Sequence, residues 1–249
     1  MSVAQQVAHQ LVFHPFVSQS LRLSSTTLGR DKIYRAVQYF ARFYAWLLIS
    51  RGKSVDAARW NALKAHLALG RKLMRLGKPM EHLQAALRIP GGFRGEEVTS
   101  IGRQLCYFGY LTYDALIWAN AVKFISLSRT TAQKVNKTSN RFWLAGISFS
   151  IAHGLLKAGR LANDMKEIKR QSWGSAEVGE KASRDGRLSA LEAQRSGVRY
   201  QFAMDLLDFW IPASNVGLVN FNDGVLGLFG FITSVMALRS QWAAAAGKS

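Results

Sequence analysis

Arg59-Trp-Asn-Ala-Leu-Lys-Ala-His-Leu-Ala-Leu-Gly-Arg-Lys-Leu-Met-Arg-Leu-Gly-Lys78 is a stretch whose apolar residues recur at helical spacing and whose charges all carry one sign. Wound at about 100° per residue, it sets Trp60, Leu63, Leu67, Leu69, Leu73, Met74 and Leu76 along one broad arc. Lys64, Arg71, Lys72, Arg75 and Lys78 fall on the opposing arc. No acid lies between Asp56 and Glu81, so the polar arc is purely cationic and carries no ion-pair lattice. That composition is the one an interfacial helix needs, with apolar side chains for the acyl region and cations for phosphate headgroups. The competing reading is a surface helix that docks its leucine stripe on a protein core and leaves a solvated basic face. Energetics makes the lipid reading feasible: at about 1 kcal/mol per cation near an anionic surface, five cations contribute roughly 5 kcal/mol. Insertion into one leaflet alone would expand that leaflet and favour curvature.

Outward from this run the chain keeps the same character. Four prolines in 249 residues and persistent 3.6-residue spacing predict an all-α fold, with helices at 3–24, 29–51, 55–77, 80–88, 97–127, 132–170, 188–211 and 223–244. Asp31-Lys-Ile-Tyr-Arg-Ala-Val-Gln-Tyr-Phe40 opens the second of these and puts Ile33, Val37, Phe40 and Tyr44 on one face, read as core. The turn Arg88-Ile-Pro-Gly-Gly-Phe-Arg-Gly95 divides the chain into an N-terminal helical region, 1–95, holding the basic amphipathic helix at about 55–78, and a C-terminal membrane-associated region, 96–249. Residues 171–187, rich in Ser, Gly and charge, read as a flexible loop in the second region.

The second region is the more apolar. Residues 104–122 approach the length of a bilayer crossing but carry Asp114 at their centre, a costly charge in hydrocarbon, so they are expected to pack on protein or lie at the interface. From Gly224 to Leu238 there is no charge of either sign, and about 17 residues is the low limit for a span. Gly217, Gly224, Gly227 and Gly230 form a small-residue series that permits close helix approach. Its use could be local helix packing or bending, or an oligomer face. The architecture expected is a membrane-associated multi-helix bundle with one or two marginal transmembrane or membrane-embedded helices.

Composition narrows the function. The 33 Lys and Arg against 15 Asp and Glu give a formal charge of +18, which calls for a polyanionic partner. Mean hydropathy near zero at that charge means the apolar residues are clustered, which favours a phospholipid surface over nucleic acid. No aromatic-basic RNA signature or zinc finger supports nucleic acid. Cys106 is the sole cysteine, so neither an intrachain disulfide nor a cysteine zinc cluster can form. No metalloprotease, nucleophile-elbow or phosphate-loop pattern is present, and no catalysis or cofactor is expected.

Four stretches together resemble the peroxin-eleven family of peroxisomal membrane proteins along essentially the whole chain. They are Asp31 to Tyr39, Leu69-Gly-Arg-Lys-Leu-Met-Arg-Leu-Gly-Lys78, Tyr110 to Lys123 with Asp114 and Trp118, and Leu206-Leu-Asp-Phe-Trp-Ile-Pro212 followed by Gly224, Gly227 and Gly230. The resemblance implies location in the peroxisomal membrane, membrane elongation by an inserting amphipathic helix, self-association into homo-oligomeric patches and recruitment of dynamin-type fission machinery. By the same likeness Arg71, Lys72, Arg75 and Lys78 match the family's basic face, and Leu67, Leu73 and Met74 its inserted face. The alternative is a peroxisomal pore or metabolite channel, in which Asp114, His153 and Asp223 line a polar path in an oligomer.

Overall fold

The computed structural model describes residues 3–90, 95–170 and 178–247, and among them there are nine α-helices and no strand. They are α1 (Val3–Val12), α2 (Pro15–Ser25), α3 (Thr27–Ser50), α4 (Ser54–Leu73), α5 (Lys78–Arg88), α6 (Gly95–Ala121), α7 (Arg129–Arg170), α8 (Val178–Val216) and α9 (Asp223–Ala246). The all-α, membrane-associated class expected from the spacing is what the chain adopts.

The boundaries differ from expectation where local chemistry intervenes. The helix expected over 3–24 breaks at Pro15, which lacks an N–H and forces His14 into extended backbone at ψ 136°. His14 then caps α2, its Nδ1 accepting from the Phe16 N–H at 3.2 Å. Thr26 caps α3 in the same way, its Oγ1 accepting from the Gly29 N–H at 3.0 Å. α4 stops at Leu73, and Pro79 sits in the first turn of α5, so Lys78 belongs to α5. Of the loop expected at 171–187, residues 171–177 lie outside the described residues, while 178–187 are the first turns of α8. Glu180-Lys-Ala-Ser-Arg-Asp reads as solvent-loving, but Glu, Lys, Ala and Arg are also good helix formers. α8 also runs on through the buried ring of Pro212.

Two compact units interleave along the chain. The first comprises residues 1–76, 118–125 and 219–249, and the second 77–117 and 126–218. In the first unit α3 is the middle helix, with α4 and α9 packed along it and α2 against the far end of α9. Both neighbours run antiparallel to α3. Asp31 meets Arg71 while Phe40 and Tyr44 meet Trp60, and Trp46, Phe43 and Tyr39 meet Gly224, Gly227 and Gly230 in turn. Ala41 and Ala45, 0% and 1% exposed, allow the helices to close on α3.

The second unit is built on the antiparallel pair α7 and α8, where Ser150 donates to Asp205 at 2.7 Å and Asn215 to Asn140 at 2.8 Å. α6 packs on α7 through Tyr110 stacked on Trp143 and Tyr113 on Phe142, and His82 of α5 reaches Gln104 and Tyr107. Ile147, Leu161 and Ile211 are fully buried within the unit. Asp114 is 2% exposed within this unit, as the packing reading of α6 requires.

Candidate membrane-binding surface

The ten residues expected to bind lipid do not form one surface. Trp60, Leu67 and Met74 lie half-buried along α3, and the Trp60 ring contacts Phe40 and Tyr44 at centroid distances of 5.8 and 4.9 Å. Leu63 is 38% exposed beside them. Leu73, at 53%, points out from the opposite flank of α4. Seven-residue steps from Trp60 to Leu67 to Met74 drift by only about 20° each, and Arg71 and Lys64 follow within one further step of the same side. The apolar and basic arcs therefore abut on the side facing α3 instead of opposing each other.

The basic residues divide by partner. Arg71 is 7% exposed, its Nε donating to Asp31 Oδ1 at 2.9 Å and its Nη1 to Gln38 Oε1 at 2.8 Å. This corrects the expectation that Arg71 reaches headgroups. Asp31 is the sole acid among the first 55 residues, and the guanidinium has turned inward to it. Burial alone would raise the Asp31 carboxyl, but the charge and hydrogen bond of Arg71, with Arg75 and Lys32 nearby, hold it below the usual carboxylate value. Burial and the like charge of Arg75 push Arg71 down, and Asp31 opposes them. Lys64 lies 3.7 Å from Asp223, which also accepts from Arg42 Nε at 3.0 Å. Lys72 and Arg75 are half-buried. Lys78 stands at the start of α5, in the second unit, 3.0 Å from Glu81.

The glycine series splits as well. A side chain at Gly227 would meet the Phe43 backbone nitrogen at 2.6 Å, and side chains at Gly224 and Gly230 would strike the Trp46 and Tyr39 rings. These three glycines serve helix packing inside the unit, seating α9 on α3. Gly217 does not join them. It is exposed, has φ +90°, and ends α8 with the Leu218 N–H donating to the Ala213 carbonyl at 2.9 Å.

The groups suggested for a polar path are engaged elsewhere. His153 Nδ1 lies 3.0 Å from the Glu96 carbonyl, Asp223 holds Arg42 and Lys64, and Asp114 is buried.

Sequence reasoning missed the face of α3. Ile33, Val37, Phe40 and Tyr44 were expected in the core, but Val37 and Phe40 are 40% and 37% exposed, while Asp31, Arg35, Tyr39 and Ala45 are buried. The signal that would have found this was the four small or aromatic residues Ala36, Tyr39, Ala41 and Ala45, which suit close helix contact better than the bulkier stripe. α9 is the one described helix long and apolar enough to cross a membrane, judged by length and composition. Its outer side carries Leu228, Ile232 and Val235, each about two-fifths exposed.

A family model described as Peroxisomal biogenesis factor 11 (PEX11) matches residues 17–242. Peroxisomal membrane protein PMP27 of Saccharomyces cerevisiae is 28% identical over 96% of this chain and 99% of its own length. Peroxisomal biogenesis factor 11 of Schizosaccharomyces pombe is 23% identical over 89% of this chain and 93% of its own. The human peroxisomal membrane protein 11A is also 23% identical, over 87% and 93%. No solved structure matches. The relatives' names place the chain at the peroxisomal membrane. With the family match spanning nearly all of the sequence, this chain belongs to the PEX11 family of peroxisomal membrane proteins.

Proposed function

We propose that this chain elongates the peroxisomal membrane by inserting the apolar side of α4 into an anionic leaflet, self-associating there, and so preparing tubules for scission by dynamin-type machinery. It acts on lipid as a non-catalytic remodelling protein in peroxisome proliferation. The observation that carries this reading is Leu63, 38% exposed beside the Trp60 ring on a helix flanked by cations, while Arg71 anchors the same helix to α3. Leu63 and the exposed edge of Trp60 lead the insertion, with Leu67 and Met74 half-buried against α3 behind them and Leu73 reaching lipid from the outer flank. Lys72 and Arg75 supply charge at headgroup depth, and Arg71 positions the helix. Curvature follows because side chains confined to one leaflet enlarge that leaflet alone.

A pore is the weaker reading, since Asp114, His153 and Asp223 are buried or hold protein partners in the folded chain. Flotation of the full-length chain with phosphatidylcholine vesicles, with and without phosphatidylserine, tests the proposal. Binding should require the anionic lipid, and Leu63→Glu should lower it at least several-fold. Unchanged binding by that variant at unchanged helicity would remove α4 from the mechanism.

A further inference from the structure

We infer that the whole α4–α3–α9 layer, and not α4 alone, is the lipid-facing element, lying flat in one leaflet with the outward stripe of α3 and the outer side of α9 in the acyl region. The inference rests on the membrane-remodelling reading above and extends it to two further helices.

The apolar face is continuous across the layer. Phe40 sits at its centre, with ring contacts to Trp60 of α4 at 5.8 Å and to Phe231 of α9 at 5.6 Å. Val37 and Tyr44 extend it along α3, one turn to either side. Ile232 and Val235, 38% and 44% exposed, carry it outward along α9. A soluble monomer seldom leaves so many large apolar groups together in water. The other side of α3 is polar: Arg35 lies over the Tyr39 ring and Arg42 binds Asp223, both about half a turn away from Val37 and Tyr44.

Charge selects the occupant. The unit holds fifteen Lys and Arg against Asp31, Asp56 and Asp223, and each of these acids is already ion-paired with a basic neighbour. Two such strongly cationic units repel one another, so a second copy is a poor partner for this face, whereas an anionic leaflet neutralises the charge and covers the apolar groups together.

The docking of α9 also fixes its orientation. The helix is about 36 Å long at 1.5 Å per residue, enough to cross a bilayer by length. Its inner side is closed on α3 at Gly224, Gly227 and Gly230, and α3 is tied to α4 by Asp31 and Arg71. Were α9 to cross while docked, it would draw Arg35, which lies over the Tyr39 ring facing Gly230, into hydrocarbon, where charges are costly. Lying flat keeps Arg35, with Arg42 and Arg71, on the polar side.

Environment-sensitive fluorophores at Val37→Cys, Leu63→Cys and Ile232→Cys, each in the full-length chain with Cys106→Ser, test the inference. The probe surface is phosphatidylcholine and phosphatidylserine vesicles bearing bromine on the acyl chains. Blue-shifted emission and loss of intensity by bromine at all three positions, at similar shallow depth, are expected. Quenching at 63 alone would overturn the layer and leave α4 insertion standing. A blue shift without bromine quenching at 37 and 232 would mean protein covers them, and deep quenching at 232 alone would mean α9 crosses; either overturns it. Quenching at none would overturn the layer and the remodelling function together.

Discussion

Arg71 shows how one residue can belong to a cationic run and yet face inward. A buried guanidinium whose partner is removed leaves a charge that solvent cannot reach, so Asp31→Ala or Arg71→Ala should each cost about 3–5 kcal/mol, while joint replacement by apolar residues of similar volume should cost far less. Urea unfolding of the detergent-solubilised chain, run as a double-mutant cycle, measures this. The pH dependence has a definite sign. Because the folded Asp31 carboxyl lies below its unfolded value, of about 3.9, its stabilisation is complete above that value and is lost as pH falls through the lower folded one. Fluorescence of the tryptophans, Trp60 among them, should report α4 loosening in that acidic window, and Asp31→Asn should abolish the transition. Asp205 has the opposite sign. Burial, reinforced by Asp208, raises its carboxyl despite hydrogen bonds from Ser150 and Gln201, so ionisation works against folding and stability recovers as pH falls below the raised value. Thermal melts of Asp205→Asn should therefore lose part of the pH slope without loss of Tm at neutral pH. None of this pairing was legible in the sequence: a lone Asp31 before a long basic stretch marks a needed acid, but only the antiparallel turn after Ser50 decides which cation it meets.

Elements were far more readable than their faces. Period and punctuation found every helix from α3 to α9, to within about four residues except at the end of α6, six residues short of the expected 127, and at both ends of α8, and Pro15 in the sequence already held the reason for the α1–α2 break. Which side of a helix turns inward depends on its neighbours. α3 has a bulky apolar stripe and a second stripe of alanine and tyrosine, and the second wins because α4 and α9 approach closely only over small side chains. The glycines of α9 follow the same logic, so Gly227→Leu should force α9 away from Phe43. Hydrogen exchange should then rise across α9 and the centre of α3, with α7 and α8 unaffected. Equal protection in the variant would mean that α9 is not held by this packing. Gly217→Ala acts differently. A Cβ at φ +90° costs about 1 kcal/mol locally and should leave vesicle binding unchanged.

For the molecule as a whole, charge and apolar surface divide the work of membrane association. On the reading proposed above, the net charge of +18 would draw the chain to anionic lipid over about a Debye length, roughly 8 Å at physiological salt, while the apolar face would hold it once there. Vesicle binding should therefore weaken as salt rises yet not vanish, and replacing Leu63 should shrink the salt-resistant remainder. Fold class and charge were both legible at this scale, since they depend on composition and period alone. The interleaving of two units was not, because the contact of α9 with α3 spans nearly 200 residues of sequence. The central claim, that an exposed apolar surface of this chain bends the membrane it binds, is tested most directly by electron microscopy of anionic liposomes incubated with the full-length protein and with its Leu63→Glu variant. Tubules from the parent chain and smooth spheres from a variant of equal helicity are the outcome expected here. Equal tubulation by both, or none by either despite binding, would contradict it.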